Sequence, residues 1–223
     1  MEYQTIIVER KDHIGLVTLN RPEKLNTFTT ELAMELNKAL RTLDEEKGVF
    51  VIIIKGAGGA FCAGIDLNEL SGKSHLEIRR WVGEMDAHNI TIAHMKKPVI
   101  ACVHGAAVAN GCGLAAACDL TVASEDARFG TTAINVGLYC FGPSAPVSRC
   151  LGKKRSLELL FTGDMIDAKR ADVSVATACS VLGVSVIGFY AWRSRRARPQ
   201  QQRDMILLAH IRAEFAASNE TYA

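Results

Sequence analysis

Two loops rich in small residues are the parts of this chain that could act on a carbonyl group. The first covers residues 60–67 and the second residues 104–114, and each follows an apolar run predicted to be a buried strand. The second loop leads directly into a short helix, whose first backbone N–H groups have no partner within the helix. Two N–H groups directed at one point would form an oxyanion hole, which stabilises a polarised carbonyl oxygen. Either loop taken alone is more typical of a plain strand-to-helix turn.

Six segments of the chain carry a resemblance to a known family of enzymes. They are residues 20–26, 61–67, 97–105, 118–124, 127–130 and 159–164. Their order, and a spacing close to that of the family, resemble the enoyl-CoA hydratase/isomerase (crotonase) superfamily. The resemblance runs from the N-terminus to about residue 171. The resemblance implies an α/β fold of the ClpP/crotonase type, with a coiled ββα spiral core and a C-terminal helical region. It also implies a homotrimer or a dimer of trimers that takes an acyl-CoA thioester. Coenzyme A would be part of the substrate, with no separate cofactor and no metal.

The resemblance also assigns individual residues to the site. The backbone N–H groups of Ile65 and Asn110 would be the oxyanion donors. The nucleotide and pantetheine parts of coenzyme A would pass Asn110 and seven further residues, which are Lys24, Leu25, Ala63, Gly64, Ile65, Asp66 and Leu67. Glycine is the usual family residue at position 110, and we expect Asn110 to adopt a positive φ at modest cost.

Two positions depart from the family pattern in a way that bears on catalysis. Hydratases of this family carry two glutamates that activate water and protonate the substrate, and these positions fall on Gly113 and Ala133. Neither residue can transfer a proton, so the usual acid–base pair is expected to be absent while the oxyanion hole is retained.

Few residues could replace those glutamates. Tyr139 and Cys140 follow Gly137 in a predicted loop, and Asp86 and His88 lie on a predicted helix over the acyl pocket. The tyrosine is more typical of a packing residue than of a proton donor. The histidine is more typical of a surface or hydrogen-bonded helix residue.

The leading functional prediction is a protein that binds an acyl-CoA thioester and polarises its carbonyl group. The nominal reaction is hydration of 2-enoyl-CoA in fatty-acid metabolism. Because both glutamates are absent, two alternatives remain open, a non-catalytic acyl-CoA-binding homologue and an acyl-CoA thioesterase or decarboxylase. Family membership does not choose among these reactions.

The elements that must position these residues follow from hydrophobic periodicity. The pattern predicts strands at residues 5–9, 14–19, 50–54, 98–104 and 120–123. It predicts helices at residues 30–44, with Thr30 as the cap, and at 76–95, 110–118 and 153–161. Strands alternating with helices are typical of an α/β fold.

Composition bounds the partners and the domain organisation. The chain has 223 residues and a net charge of +2, which gives no argument for a nucleic-acid or membrane partner. Its seven cysteines form no CxxC pair and are expected to be reduced thiols in the cytoplasm. We expect a crotonase-like core at residues 1–171 and a divergent segment at 172–223, where the composition changes abruptly. A frameshift or an alternative 3′ end of the gene would produce such a change.

Overall fold

The computed structural model describes residues 3–168 and residue 171. Eight strands occur in this part of the chain: β1 (Ile6–Lys11), β2 (Ile14–Leu19), β3 (Val51–Gly56), β4 (Val99–Val103), β5 (Ala106–Val108), β6 (Leu120–Ala123), β7 (Arg128–Gly130) and β8 (Met165–Asp167). The helices described are α1 (Thr30–Glu45), α2 (His75–His94), α3 (Asn110–Ala117), α4 (Phe141–Leu151) and α5 (Lys153–Thr162). Short 3₁₀ helices cover Pro22–Lys24, Leu67–Leu70 and Thr132–Val136.

A five-stranded sheet forms the centre of the fold. Its strand order is β1-β2-β3-β4-β6, in which β1 and β2 are antiparallel and the remaining pairs are parallel. A smaller sheet has the order β5-β7-β8. The α/β class predicted from the alternation of elements is confirmed.

Strand β3 is buried on both faces of the large sheet. Ile52 and Ile54 belong to the main core beside α1 and α2, whereas Val51 and Ile53 belong to a second cluster on the opposite face. An uninterrupted run of β-branched residues is typical of a strand covered on both sides. The strand therefore provides a rigid support for the loop at residues 57–66.

The N-terminal cap of helix α1 is one residue earlier than the sequence predicted. Thr29 is the cap, and its side chain accepts a hydrogen bond from the backbone N–H of Leu32 at 3.2 Å. Thr30 instead donates both its backbone N–H and its hydroxyl to the carboxylate of Glu69. The prediction that Thr30 caps the helix is wrong, because Glu69 from the next 3₁₀ helix takes the hydroxyl.

The segment at residues 141–151 is the largest element that the sequence did not predict. No helix was predicted for this segment, which contains Gly142, Pro143 and Pro146. Prolines in the first turn of a helix lose no hydrogen bond, since those N–H groups have no intrahelical partner. Pro146 lies further in and is buried within the packed interface of α4, which shows tertiary packing overriding helix propensity.

The predicted C-terminal helical region and the divergent segment at 172–223 lie outside the described residues. Within residues 3–168 and 171, the helices are all too short or too polar to cross a membrane.

Gly111, in the first turn of α3, should be one of the glycine positions that least tolerate a side chain. A Cβ atom at Gly111 would lie 2.2 Å from the backbone carbonyl oxygen of Cys62, which cannot move without disturbing its hydrogen bonds with β5. We expect Gly111→Ala to lower the free energy of unfolding by about 2–3 kcal/mol or more, the usual cost of overpacking. Gly83→Ala is the control, because Gly83 lies mid-helix with no atom within 4 Å, and should stabilise by about 0.5–1 kcal/mol. Denaturant unfolding of both variants checks the contrast, and equal destabilisation would contradict the packing of α3 on residue 62.

Candidate active site

The two small-residue loops meet through backbone hydrogen bonds. The N–H of Cys62 donates to the carbonyl of Ala106 at 3.0 Å, and the N–H of Val108 donates to the carbonyl of Cys62 at 3.0 Å. A Cβ atom at Gly64, where φ is +100°, would lie 3.0 Å from the Cβ of Ala109. The loops that follow β3 and β4 are therefore packed directly against each other, as the sequence analysis required.

Ile65 and Asn110 each present a backbone N–H group without a partner among the described residues. Phe28 exchanges hydrogen bonds with the neighbours of Ile65, accepting from Asp66 at 2.8 Å and donating to Gly64 at 2.7 Å. This alternation directs the N–H of Ile65 away from Phe28. Asn110 is the first residue of α3, where backbone N–H groups have no intrahelical acceptor.

The positive φ in this region lies at Ala109 and not at Asn110. Ala109 has φ 48° and ψ −118°, a conformation that an L-residue adopts at a cost of about 1–3 kcal/mol. Its N–H donates to the carbonyl of Gly130 at 2.8 Å, and its carbonyl accepts from the N–H of Gly113 at 3.0 Å. The expectation of a positive φ at Asn110 is wrong, because the reversal occurs one residue earlier and leaves Asn110 helical.

A cavity of about 290 Å³ lies beside these N–H groups. Its walls come from the first loop, from α2 and from the segment at residues 132–143. The lining is mostly apolar, including Leu70, Trp81, Val82, Met85, Val136 and Leu138. Ile65 and Asn110 both border the cavity, so a carbonyl group at its edge could reach them while an apolar chain fills the interior.

Asp86 on α2 is the one charged residue among those that line the cavity. Its carboxylate accepts a hydrogen bond from the side-chain amide of Asn110 at 3.1 Å. Burial raises the pKa of Asp86 to about 6, and the hydrogen bond from Asn110 partly opposes this rise. A carboxylate is thus held by the side chain of the residue that supplies one of the two free backbone N–H groups.

The predicted coenzyme A contacts divide into two groups. Ala63, Ile65 and Leu67 line the cavity, whereas Gly64 and Asp66 do not. Lys24 and Leu25 are exposed outside it, and the carbonyl of Leu25 accepts a hydrogen bond from the N–H of Ala63 at 2.9 Å. The two stretches of chain are therefore adjacent.

Asp66 is occupied by contacts within the protein. Its carboxylate accepts hydrogen bonds from the guanidinium of Arg21 at 3.2 Å and from the backbone N–H of Asn68 at 3.2 Å. Burial acts to raise the pKa of Asp66, but these hydrogen bonds outweigh it and the net shift is downward. The side chain is held as a charged structural link between the two stretches.

The two positions without glutamates have different surroundings. Ala133 lines the cavity. Gly113 is buried inside α3, and a Cβ atom there would lie 3.0 Å from the Cα of Pro143 on α4. Only the position of Ala133 offers room for a longer side chain.

The remaining acid–base candidates are differently placed. Tyr139 and Cys140 line the cavity; the tyrosine ring is 44% exposed and lies 6.3 Å from the ring of Phe161. Burial raises the pKa of the Cys140 thiol. His88 was predicted to be a surface or hydrogen-bonded helix residue; it does not lie at the surface, because the residue is 1% exposed and its ring stacks on Phe28 at 5.0 Å. Burial lowers the pKa of His88 to about 4.

Comparison with known proteins identifies the family. Residues 9–174 match the sequence profile of the enoyl-CoA hydratase/isomerase family. A relative named probable enoyl-CoA hydratase, from Rhizobium meliloti, is 37% identical over 177 residues, covering 78% of this chain and 67% of the relative. The mitochondrial enoyl-CoA hydratase of Pongo abelii is 36% identical over 186 residues, covering 80% and 63%. The chain therefore belongs to the enoyl-CoA hydratase/isomerase family, whose members are enzymes that act on acyl-CoA substrates.

Solved structures confirm the crotonase fold. The enoyl-CoA hydratase of Mycobacterium smegmatis matches with a TM-score of 0.74 and 34% identity, covering 81% of this chain and 74% of that one. The enoyl-CoA hydratase of Bacillus anthracis matches with a TM-score of 0.71 and 29% identity, covering 81% and 74%. These matches bear on the fold and the family, and leave the assignment of individual site residues as predictions.

The raised pKa of Asp86 should appear as a stability penalty at neutral pH. A carboxyl group whose pKa is about 6 when folded and near 3.8 when unfolded favours folding in its protonated form, so stability falls as pH rises from about 4 to 6. We expect Asp86→Asn to raise the free energy of unfolding at pH 8 by on the order of 2 kcal/mol; this gain should shrink as pH falls from about 6 to 4. Thermal unfolding across this pH range measures the effect. A variant less stable than the natural protein at pH 8 would show that Asp86 is not buried in this way.

Proposed function

We propose that this protein binds an acyl-CoA thioester with the acyl chain in the cavity and the carbonyl oxygen at the N–H groups of Ile65 and Asn110. The observation that carries the proposal is the pair of backbone N–H groups, both without a partner among the described residues and both bordering one apolar cavity. Donors that are fixed in advance at the point where charge develops are the main requirement of carbonyl polarisation.

The coenzyme A part would leave the cavity past the loop at residues 63–67. Lys24 and Leu25 are exposed beside this loop, and the Lys24 ammonium supplies a positive charge that suits a nucleotide phosphate. Coenzyme A is then part of the substrate, and the proposal needs no separate cofactor.

The nominal reaction is hydration of a 2-enoyl-CoA, as in fatty-acid metabolism. Gly113 and Ala133 argue against efficient hydration, because neither side chain can transfer a proton. A non-catalytic acyl-CoA-binding protein and an acyl-CoA thioesterase or decarboxylase remain the alternatives. Asp86 favours an active enzyme over a purely binding protein, because a carboxylate buried against an apolar cavity has no evident benefit for binding alone.

We further propose a homotrimer or a dimer of trimers in the cytoplasm. The exposed rings of Tyr139 and Phe161, whose centroids are 6.3 Å apart, support an interface between copies, because exposed apolar patches often mark contact surfaces. The six described cysteines are free thiols, which supports a reducing compartment.

Replacing the carbonyl group of the ligand tests the oxyanion hole directly. Butyryl-CoA should bind more tightly than the thioether butyl-CoA, which has no carbonyl oxygen, by about 1–3 kcal/mol for two hydrogen bonds. Asn110→Pro removes the backbone N–H at the first residue of a helix, where this group has no intrahelical partner. The folding check is essential for this variant, because the residue before a proline favours extended backbone and Ala109 has a positive φ. We expect this variant to lose about half of the difference between the two ligands in calorimetric titration.

Asn110→Ala is the matched control for that experiment, because it removes the same side chain and keeps the N–H. It should preserve the preference for the thioester, with folding of both variants checked by circular dichroism. Equal preferences in the two variants would place the carbonyl oxygen elsewhere.

Hydration of crotonyl-CoA should be slow in the natural protein. General acid–base groups contribute about 10²- to 10⁴-fold each, so the loss of the pair should leave turnover far below that of ordinary hydratases. We expect Ala133→Glu to raise turnover by about 10-fold or more, since residue 133 lines the cavity. Ala133→Gln has the same shape without the carboxylate and should give no gain. A natural protein as fast as ordinary hydratases would show that another group already supplies the missing chemistry.

A further inference from the structure

Asp86 is placed by three elements, α2, α3 and α4, and not by α2 alone. Its neighbours in the chain are Met85, which is 1% exposed and part of the main core, and Ala87, which is half-buried. The carboxylate itself borders the cavity, where Asn110 of α3 donates a hydrogen bond to it. The same Asn110 amide lies 3.5 Å from the backbone carbonyl of Met85. The side-chain amide therefore ties α3 to the turn of α2 that carries the carboxylate.

The first turn of α4 leaves room for this carboxylate only because residue 142 is glycine. A Cβ atom at Gly142 would lie 1.9 Å from one carboxylate oxygen of Asp86 and 2.0 Å from its carboxyl carbon. The carboxylate thus sits against the N-terminal turn of α4, whose dipole stabilises negative charge. This packing fixes the position of the group at the cavity wall.

The side chain of Asn110 limits how far this carboxylate can lie from a carbonyl group bound at the backbone N–H of the same residue. The side-chain nitrogen of an asparagine is at most about 5 Å from its own backbone nitrogen. With the 3.1 Å hydrogen bond, the carboxylate oxygen of Asp86 lies within about 8 Å of the N–H of Asn110. In a thioester whose oxygen is bound at that N–H, C2, the carbon next to the carbonyl carbon, is about 2.4 Å from the oxygen, on the side of the cavity. Because Asp86 and Asn110 line the same cavity, an acyl chain that turns toward Asp86 presents the hydrogens of that carbon to the carboxylate.

We infer that Asp86 is the proton-transfer group of this site, and that it removes a proton from the carbon next to the thioester carbonyl and returns it. The inference rests on the proposed function, since it needs the carbonyl oxygen at Ile65 and Asn110. The C2–H bond breaks, its electron pair forms the C1–C2 double bond, and the carbonyl electrons move to the oxygen held by the two N–H groups. The proton forms an O–H bond on Asp86. It then returns to C2, or to C4 when a 3,4-double bond shifts to the 2,3-position.

One carboxylate is sufficient for such a reaction, because the group that takes the proton also gives it back. Hydration by separate acid and base groups requires two, and Asp86 is the one carboxylate that lines the cavity within residues 3–168 and 171. The other titratable groups at the cavity are the Tyr139 hydroxyl and the Cys140 thiol. The geometry therefore favours acyl-CoA thioesters that can form an enolate as the substrate class.

Deuterium exchange at C2 of 3-butenoyl-CoA tests the inference. In D₂O the natural protein should incorporate deuterium at C2, followed by NMR, and produce the conjugated isomer, followed by absorbance. Asp86→Asn should slow both by about 10²-fold or more, the usual contribution of a general base, while binding of the thioester is retained. Glu84→Gln is the control, because Glu84 is exposed on the same helix two residues away, and it should leave both rates unchanged.

The pH dependence supplies a readout that a structural residue would not move. The exchange rate should rise with pH through about 6, as the carboxylate loses its proton. The hydrogen bond from Asn110 lowers the pKa of Asp86, so Asn110→Ala should shift this profile to higher pH. Exchange by Asp86→Asn at the natural rate, or no exchange by a natural protein that binds the thioester, overturns the inference alone. Failure of 3-butenoyl-CoA to bind in calorimetry overturns the proposed function with it.

Discussion

The candidate site depends on the direct contact of two backbone segments, the carbonyl group of Cys62 and the first turn of α3. Hydrogen bonds on both sides of Cys62 align the first loop with β5, and the absence of a side chain at Gly111 lets the helix approach the carbonyl oxygen. This approach brings the N–H of Asn110 to the same cavity edge as Ile65. If the two segments lay further apart, each would be an ordinary turn, and its free N–H group could not share a carbonyl oxygen with the other.

Two features of the site work against the stability of the fold. Ala109 holds a backbone conformation that favours glycine, and Asp86 holds a carboxylate whose charge is disfavoured by burial. Such strain persists only where the surroundings over-determine it. Ala109 is fixed by hydrogen bonds from both of its backbone groups, and Asp86 by Asn110 and the close approach of Gly142. The coincidence of both features at one cavity is typical of a functional site.

Much of the central sheet could be predicted from the sequence, because its strands are continuous apolar runs. The bounds of β2 and β6 agree with the predicted ranges, and the ends of β3 and β4 differ by one or two residues. The three-residue strands β5, β7 and β8 were missed, since a run so short carries no periodicity. They form only because the loops around them are brought together by the large sheet.

Only part of the site could be predicted from the sequence. The rest depends on contacts between residues that are far apart in the chain. Loop chemistry at Ile65 and Asn110 is local and follows from small residues after buried strands. The environment of Asp86 is not local, because Asn110 and Gly142, its two closest partners, are 24 and 56 positions away in sequence. The helix α4 that supplies Gly142 was itself obscured by its prolines. The available signal in the sequence was Gly142 beside two prolines. Only the three-dimensional structure shows that this glycine makes room for Asp86.

The packing of Gly142 against Asp86 also limits how this protein can change over evolutionary time. A side chain at residue 142 would overlap the carboxylate, so a lineage must lose the acid at 86 before it can gain any other residue at 142. Loss of the acid while residue 142 stays glycine is open, since a smaller residue at 86 leaves glycine at 142 unaffected. Substitutions at the two positions should therefore be ordered and coupled among descendants, and an acidic residue at 86 should occur together with glycine at 142.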